Sequence, residues 1–279
     1  MTPATAVARW NKRSIPPPPR KIRRNLNQTM ESIHDSATRD ENFYESEIGK
    51  FDHCGGNYSI RRYLFMGPPG GTPNTRIGLF GGIHGDEQAS ALAVIRFLQV
   101  LCDSPELATG FEIFAYPVCN PTGFEDNTRW SRHGVDLNRE FWRDSHEPEV
   151  IILERQLLNL EFDGIIALHA DDTSDGVYGY ANGDTLTRNL LEPGLRAAEA
   201  FLPRNRLIEI DGWSALDGII DEGFAGVLSA PPSQQPRPFE IVFETPQLAP
   251  LDLQIDASVA ALLAILSASR SLQAHAANI

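Results

Sequence analysis

RIGLFGGIHGDE, Arg76 to Glu87, decides the fold of this 279-residue chain. Ile77 to Phe80 is a short apolar run, and Gly81 and Gly82 stop it. From about Glu87 the apolar residues Ala89, Leu92, Ala93, Ile95 and Leu98 recur with helical spacing. A short apolar run, a glycine break and a longer 3.6-period segment predict strand, loop and helix. His84 and Glu87 fall in the break, three residues apart. An imidazole and a carboxylate at that spacing can face one point at the carboxyl end of the strand, where open α/β sheets place their sites. The pair suits zinc, which also needs a third protein ligand and an open position for water.

Working outward, strands and helices alternate. Residues 29–50 are polar and read as one helix. Tyr58 to Met66 alternates weakly, as an edge strand would, and a Pro/Gly turn follows at Pro68 to Gly71. The helix after Glu87 runs to about Leu101. Phe111 to Val118 is the next strand, ended by Asn120-Pro121-Thr122-Gly123. A long polar loop, Phe124 to Arg143, has the length of a functional loop. Glu147 to Leu160 is an amphipathic helix with Pro148 in its first turn. Gly164 to Leu168 is a strand that delivers His169 at its carboxyl end. Val177 to Ala181 and Arg206 to Ile210 are short strands around a helical stretch, Leu186 to Phe201. Phe239 to Phe243 is a strand ending at Glu244, and Leu251 to Leu272 is a closing helix rich in Ala and Leu. This alternation predicts an α/β fold with a largely parallel or mixed sheet.

Composition narrows the function. The chain is 42 % hydrophobic and 22 % charged, as globular domains are. No continuous apolar run reaches the roughly 18–20 residues that span a bilayer, and the first residues lack a signal-peptide core, so no membrane partner is expected. Three cysteines, Cys54, Cys102 and Cys119, are too few and unevenly numbered for a disulfide framework, which points to a reducing, cytoplasmic setting. The net charge of -13 is uneven: residues 1–24 hold seven basic residues and no acidic one, leaving 17 basic against 37 acidic in the remainder. An acidic body argues against nucleic acid as partner. Residues 1–30, with Pro16 to Pro19, read as a basic proline-rich arm, either a solvated arm or a docking or address peptide. Residues 31–279 read as one catalytic domain. Because the chemistry-bearing motifs begin later, residues 1 to about 25 are expected to be dispensable for metal binding and turnover.

Three strands thus end in a reactive side chain: His84 with Glu87, His169, and Glu244. Two histidines and a carboxylate, with a spare carboxylate, are the parts for hydrolysis by metal-activated water. The long loop adds Arg129 and then the run GVDLNREF, Gly134 to Phe141. An arginine fork binds a carboxylate through two bonds, and a neighbouring asparagine adds an amide donor.

H-x-x-E, N-P-x-G, an arginine, G-V-D-L-N-R, a histidine after an apolar strand and F-E-T near the end, in this order, resemble the zinc carboxypeptidase family, including its succinylglutamate desuccinylase and aspartoacylase branch. The resemblance covers roughly residues 75–270. It implies a three-layer α/β/α sandwich around a mixed, twisted sheet. It implies one zinc ion held by His84, Glu87 and His169, with Glu244 as general base, Arg129 stabilising the oxyanion, Asn138 and Arg139 gripping the substrate carboxylate, and Asp136 orienting a histidine ligand. The implied substrate is a peptide or acyl-amino acid with a free carboxylate. The favoured activity is that of a metallocarboxypeptidase; the alternatives are an N-acyl-amino-acid deacylase and an inactive carboxylate-binding homologue. The chain departs from the digestive carboxypeptidases in having no tyrosine at 205–240. Tyr178 and Tyr180 follow His169 too closely for the role of that family's mobile tyrosine, so proton donation is assigned to Glu244. Only about one helix follows Glu244, so aspartoacylase's extra carboxy-terminal β-domain is not expected, which favours the compact, peptidase-like branch. Asp171 and Asp172 read as a solvated acidic loop or a second metal site, and Asp217, Asp221 and Glu222 as surface residues or pocket lining.

Overall fold

The computed structural model describes residues 23–37, 40–53, 55–71, 74–181 and 187–276. Most of the basic arm therefore lies outside the described residues. Helix α1 (Leu26–Ala37) is followed by strands β1 (Phe43–His53), β2 (Gly56–Met66) and β3 (Thr75–Phe80). Then come α2 (Gln88–Asp103), β4 (Phe111–Tyr116), α3 (Pro121–Asp126), α4 (Pro148–Leu160), β5 (Gly164–Asp171) and β6 (Tyr178–Ala181). After α5 (Glu192–Ala198) lie the two-residue strands β7 (Glu209–Ile210), β8 (Trp213–Ser214) and β9 (Ile219–Ile220), then β10 (Phe239–Pro246) and α6 (Leu251–Ala276).

Eight strands form one mixed sheet in the order β1-β2-β4-β3-β5-β10-β6-β9. Its centre, β4-β3-β5-β10, is parallel, and antiparallel pairs flank it. Side chains alternate across the sheet. Ile77, Leu79, Ile166 and Leu168 join one core with α1, α2, α5 and α6. Phe80, Tyr116 and Ile165 join the other, under α4. Each such fully buried side chain contributes on the order of 1.5–3 kcal/mol. The two cores lie between the sheet and the helices on its two faces, as in an α/β/α sandwich. Gly78 in β3 has no room for a side chain, since a Cβ would lie 2.8 Å from Phe162.

Several expectations are corrected here. Residues 29–50 are not one helix: α1 ends at Ala37 and β1 begins at Phe43. Long-range pairing with β2, from Phe43 opposite Phe65 to His53 opposite Gly56, overrides local polarity. β2 is consequently an interior strand between β1 and β4, not an edge. The arm boundary at residue 30 falls inside α1, whose Met30 and Ile33 are buried. The loop 124–143 contains the end of α3 and a 3-10 turn, Leu137–Arg139. The helix at Leu251–His275 is long and apolar enough, by length and composition, to cross a membrane. Scattered Ser and Gln keep it from being a continuous apolar run, and it packs as a core helix on α2 and α5. Cys102 and Cys119 are free thiols.

The start of α4 carries a buried acid. Glu149 is 1 % exposed, and its Oε2 finds no hydrogen-bond partner, while Oε1 accepts from the Thr122 hydroxyl at 3.2 Å. Burial, with Glu147 adding to it, pushes the carboxyl up to about 7. A folded-state pKa above the unfolded one means that the native state holds the proton longer. Stability is then greatest below about 4.5 and falls as pH rises through about 7. Glu149→Gln should therefore raise stability by roughly 2–4 kcal/mol at pH 8 and by little at pH 4. Urea melts at the two pH values check this, and equal gains at both would refute it.

Candidate active site

β3, β5 and β10 are neighbours and run parallel, so their carboxyl ends lie side by side. This brings His84 and Glu87 after β3 together with His169 on β5 and Glu244 on β10. Glu244 is the register partner of His169.

The loop after β3 is held tightly. Gly82 turns with φ +57, and its N–H donates to the Ser90 hydroxyl at 3.0 Å. Gly85 presses on the turn at 120–124 so closely that a Cβ would lie 1.9 Å from the Gly123 carbonyl carbon. Asn120 explains the N-P-x-G motif. Its Oδ1 caps α3 by accepting from the Gly123 N–H at 2.8 Å, and its Nδ2 donates to the Ile83 carbonyl at 3.3 Å. Pro121 takes the first helical position, where no N–H is needed.

His84, Glu87 and His169 are each 3 % exposed. Glu87 Oε1 lies 2.5 Å from His84 Nδ1, and Oε2 lies 3.0 Å from His169 Nδ1. Oε2 also accepts the Ala170 N–H at 3.0 Å. The two Nδ1 atoms are 3.2 Å apart. His84 Nε2 faces Asp136 Oδ1 at 3.1 Å, an acceptor for one ring proton, which leaves Nδ1 as the nitrogen that holds either a proton or a metal. Two imidazoles and a carboxylate converging within 4.8 Å in a buried place need protons or a metal cation between them. The donors, two imidazoles and a carboxylate, fit a divalent metal of the zinc kind. The electrostatics agree. Burial pulls His84 down, but Glu87 and Asp136 outweigh it and hold the imidazole up at about 9. Burial would raise Glu87, yet His84 and His169 hold it below the usual carboxylate range. This field attracts positive charge. Among the described residues it is the only such cluster. Asp171 is instead occupied by the Thr173 N–H at 2.7 Å and the Tyr178 hydroxyl at 3.0 Å, and no second metal cluster forms there.

The cluster opens into a cavity of about 800 Å³. Arg129, Asn138 and Arg139 line one wall. Arg129 donates from Nε and Nη2 to Asp136 Oδ2 at 3.1 and 3.0 Å, leaving Nη1 directed at the ligand cluster, 3.7 Å from Glu87 Oε1. Asn138 Oδ1 accepts the Leu228 N–H at 2.9 Å, which leaves its NH2 group for the cavity. The Arg139 guanidinium lies 4.5 Å over the Phe224 ring, and no carboxylate of the described residues pairs with it. The same cavity is lined by Glu244, Asp171, Asp211 and Glu222 with Tyr178 and Tyr180. Burial first, then Glu87, Asp171 and Asp211, push the Glu244 carboxyl well above its ordinary range.

Phe224 and Asp211 were not singled out by sequence reading, because the two-residue strands around them carry no periodicity. Glu222 does line the cavity, but Asp217 does not: it pairs with Arg204 and Arg206.

A profile of the family described as the succinylglutamate desuccinylase/aspartoacylase catalytic domain matches residues 73–212. No curated protein matches the chain in sequence. A candidate metallopeptidase from Shewanella baltica OS155 superposes with a TM-score of 0.71 at 24 % identity, over 87 % of this chain and 92 % of that one. A metallo-carboxypeptidase from Burkholderia cenocepacia gives 0.70 at 14 %, over 90 % and 70 %. A metallo-carboxypeptidase from Pseudomonas aeruginosa, in complex with (2-guanidinoethylmercapto)succinic acid, gives 0.66 at 16 %, over 88 % and 69 %.

The purified protein should hold one divalent metal ion. His169→Ala should lose it, whereas Asp136→Asn, which only loosens the grip on His84, should weaken affinity by about 10–100-fold. Metal analysis with chelator competition measures both, and full occupancy in His169→Ala would contradict the ligand set.

Proposed function

We propose, since the chain belongs to the succinylglutamate desuccinylase/aspartoacylase catalytic-domain family, that it is a zinc-dependent hydrolase cleaving an amide bond beside a free carboxylate, as a metallocarboxypeptidase does. The observation that carries this reading is Arg139. It is a guanidinium without an acidic partner, stacked on Phe224 and next to Asn138, in the same cavity as the ligand cluster. His84, Glu87 and His169 would hold the zinc, which would supply Lewis-acid chemistry to the site when bound.

The remaining work falls to the chain. Arg139 forms a fork for the substrate carboxylate, and the Asn138 amide adds a donor. Arg129, whose Nη1 lies 3.7 Å from Glu87 Oε1, stabilises the negative charge that grows on the carbonyl oxygen. Glu244, on the strand beside His169, takes the proton of the attacking water and returns it to the leaving amine. Its raised pKa makes the carboxylate a stronger base than an ordinary glutamate for the first half of that task. The succinic acid ligand of the Pseudomonas aeruginosa protein supports a carboxylate-bearing substrate. The family's description favours a second reading, an N-acyl-amino-acid deacylase. Both readings place a free carboxylate on the amine side of the bond.

Hydrolysis of C-terminal dipeptides, N-acyl-amino acids and their amidated counterparts separates these readings. Substrates with a free carboxylate should be cleaved and amidated ones spared; equal turnover of both would sink the proposal. Arg139→Ala should mainly raise KM, with roughly 2–4 kcal/mol lost in binding. Glu244→Gln should lower kcat by about 100-fold or more with KM little changed. Its metal content should stay at the wild-type level, and loss of metal in the folded variant would make Glu244 a ligand rather than the base.

A further inference from the structure

The described part of the arm ends on the metal loop. Arg24 Nη1 donates to the Gly85 carbonyl at 2.5 Å, and Nη2 to the Asp86 carbonyl at 3.3 Å. Its guanidinium lies 5.1 Å over the Phe124 ring, and its main-chain N–H donates to the Glu125 carbonyl at 2.8 Å. One residue thus grips two segments: the turn that carries His84 and Glu87, and helix α3, against which that turn packs. Gly85 and Asp86 are the two residues between the ligands. Their carbonyls precede the ladder of α2, so the Gly85 carbonyl takes its hydrogen bond from this guanidinium rather than from a helix partner. Turning either peptide unit would swing His84 against Glu87. Metal–ligand distances tolerate only about 0.2 Å of error. Arg23 differs. It is exposed and, among the described residues, reaches Glu125 and Asp126 on α3, at 3.2 and 3.4 Å.

We propose that Arg24 is a positioning residue of the metal centre. Its forked contact with the Gly85 and Asp86 carbonyls sets the spacing of His84 and Glu87, so the segment ahead of the catalytic domain tunes metal affinity. This rests on the metal-centre reading given above, and it revises the expectation that residues up to about 25 are dispensable.

The test uses the full chain with Arg24→Ala, Arg24→Met, Arg24→Lys and Arg23→Ala. Arg24→Met keeps an apolar stem over Phe124 and removes every donor, so it decides the question should Arg24→Ala fail to fold. Zinc affinity is read by chelator competition, and ligand geometry by the visible spectrum of the cobalt(II)-loaded protein. Arg24→Ala and Arg24→Met should bind zinc about 10–100-fold more weakly with an altered cobalt spectrum. Arg24→Lys, with one compact donor group, should recover part of the affinity. Arg23→Ala should stay within about two-fold, as a surface ion pair does. Wild-type affinity and spectrum in Arg24→Met would overturn the role of Arg24 while leaving the metal centre intact. A wild-type protein that binds no metal would remove the metal-centre reading and this inference with it.

Discussion

A carboxylate buried between two imidazoles is the constraint on which the rest of this structure depends. Glu87 is 3 % exposed, and a charge so placed costs several kcal/mol in desolvation unless it is fully compensated. Compensation comes from His84, His169 and the Ala170 N–H, which belong to different parts of the chain. They can meet only if β3 and β5 are adjacent and parallel, which the sheet order provides. The turn after β3 must then bend sharply and lie against the turn at 120–124. That requirement accounts for the left-handed Gly82, for a glycine at 85, and for Asn120 bridging the two turns. A stability argument alone would have placed an apolar residue at 87. The arrangement makes sense as a seat for a cation.

Much of the seat was legible in the sequence because each ligand stands just beyond a short, strongly apolar strand. Phe80, Leu168 and Phe243 close those runs, and the reactive side chain follows within a few residues. What the sequence hid was pairing. β1 is polar and half-exposed, and only its register with β2 makes it a strand and makes β2 an interior one. The acidic residues near 217–222 were equivalent in sequence, yet Asp217 is taken by Arg204 and Arg206 while Glu222 faces the cavity. Charge pairing across the fold decided which acid was available, and no spacing rule encodes that. Arg24 was hidden similarly: in sequence it is one more basic residue at the end of a basic tail, and only tertiary contact joins it to Gly85 and Asp86.

Charge pairing also bears on how the cavity works. The chain has an acidic excess of 13, so a basic side chain finds a carboxylate easily. Arg129 has Asp136, Arg132 has Glu125 and Asp126, Arg204 has Glu192, and Arg237 has Glu240. Arg139 has none among the described residues, although Glu222 lines the same cavity. Its neighbours explain why. One N–H is spent on the Asn138 carbonyl at 2.7 Å, and the flat face rests on Phe224. The loop that carries Phe224 is fastened to the same turn by the Phe141 N–H to the Gly226 carbonyl at 3.1 Å and the Leu228 N–H to Asn138 Oδ1. Stacking on an aromatic face stabilises a guanidinium by about 0.5–2 kcal/mol without neutralising it. The cation is therefore ordered but not quenched, in a cavity whose lining also includes Glu244, Asp171, Asp211 and Glu222. An anionic group arriving there meets a preformed fork and displaces no protein carboxylate.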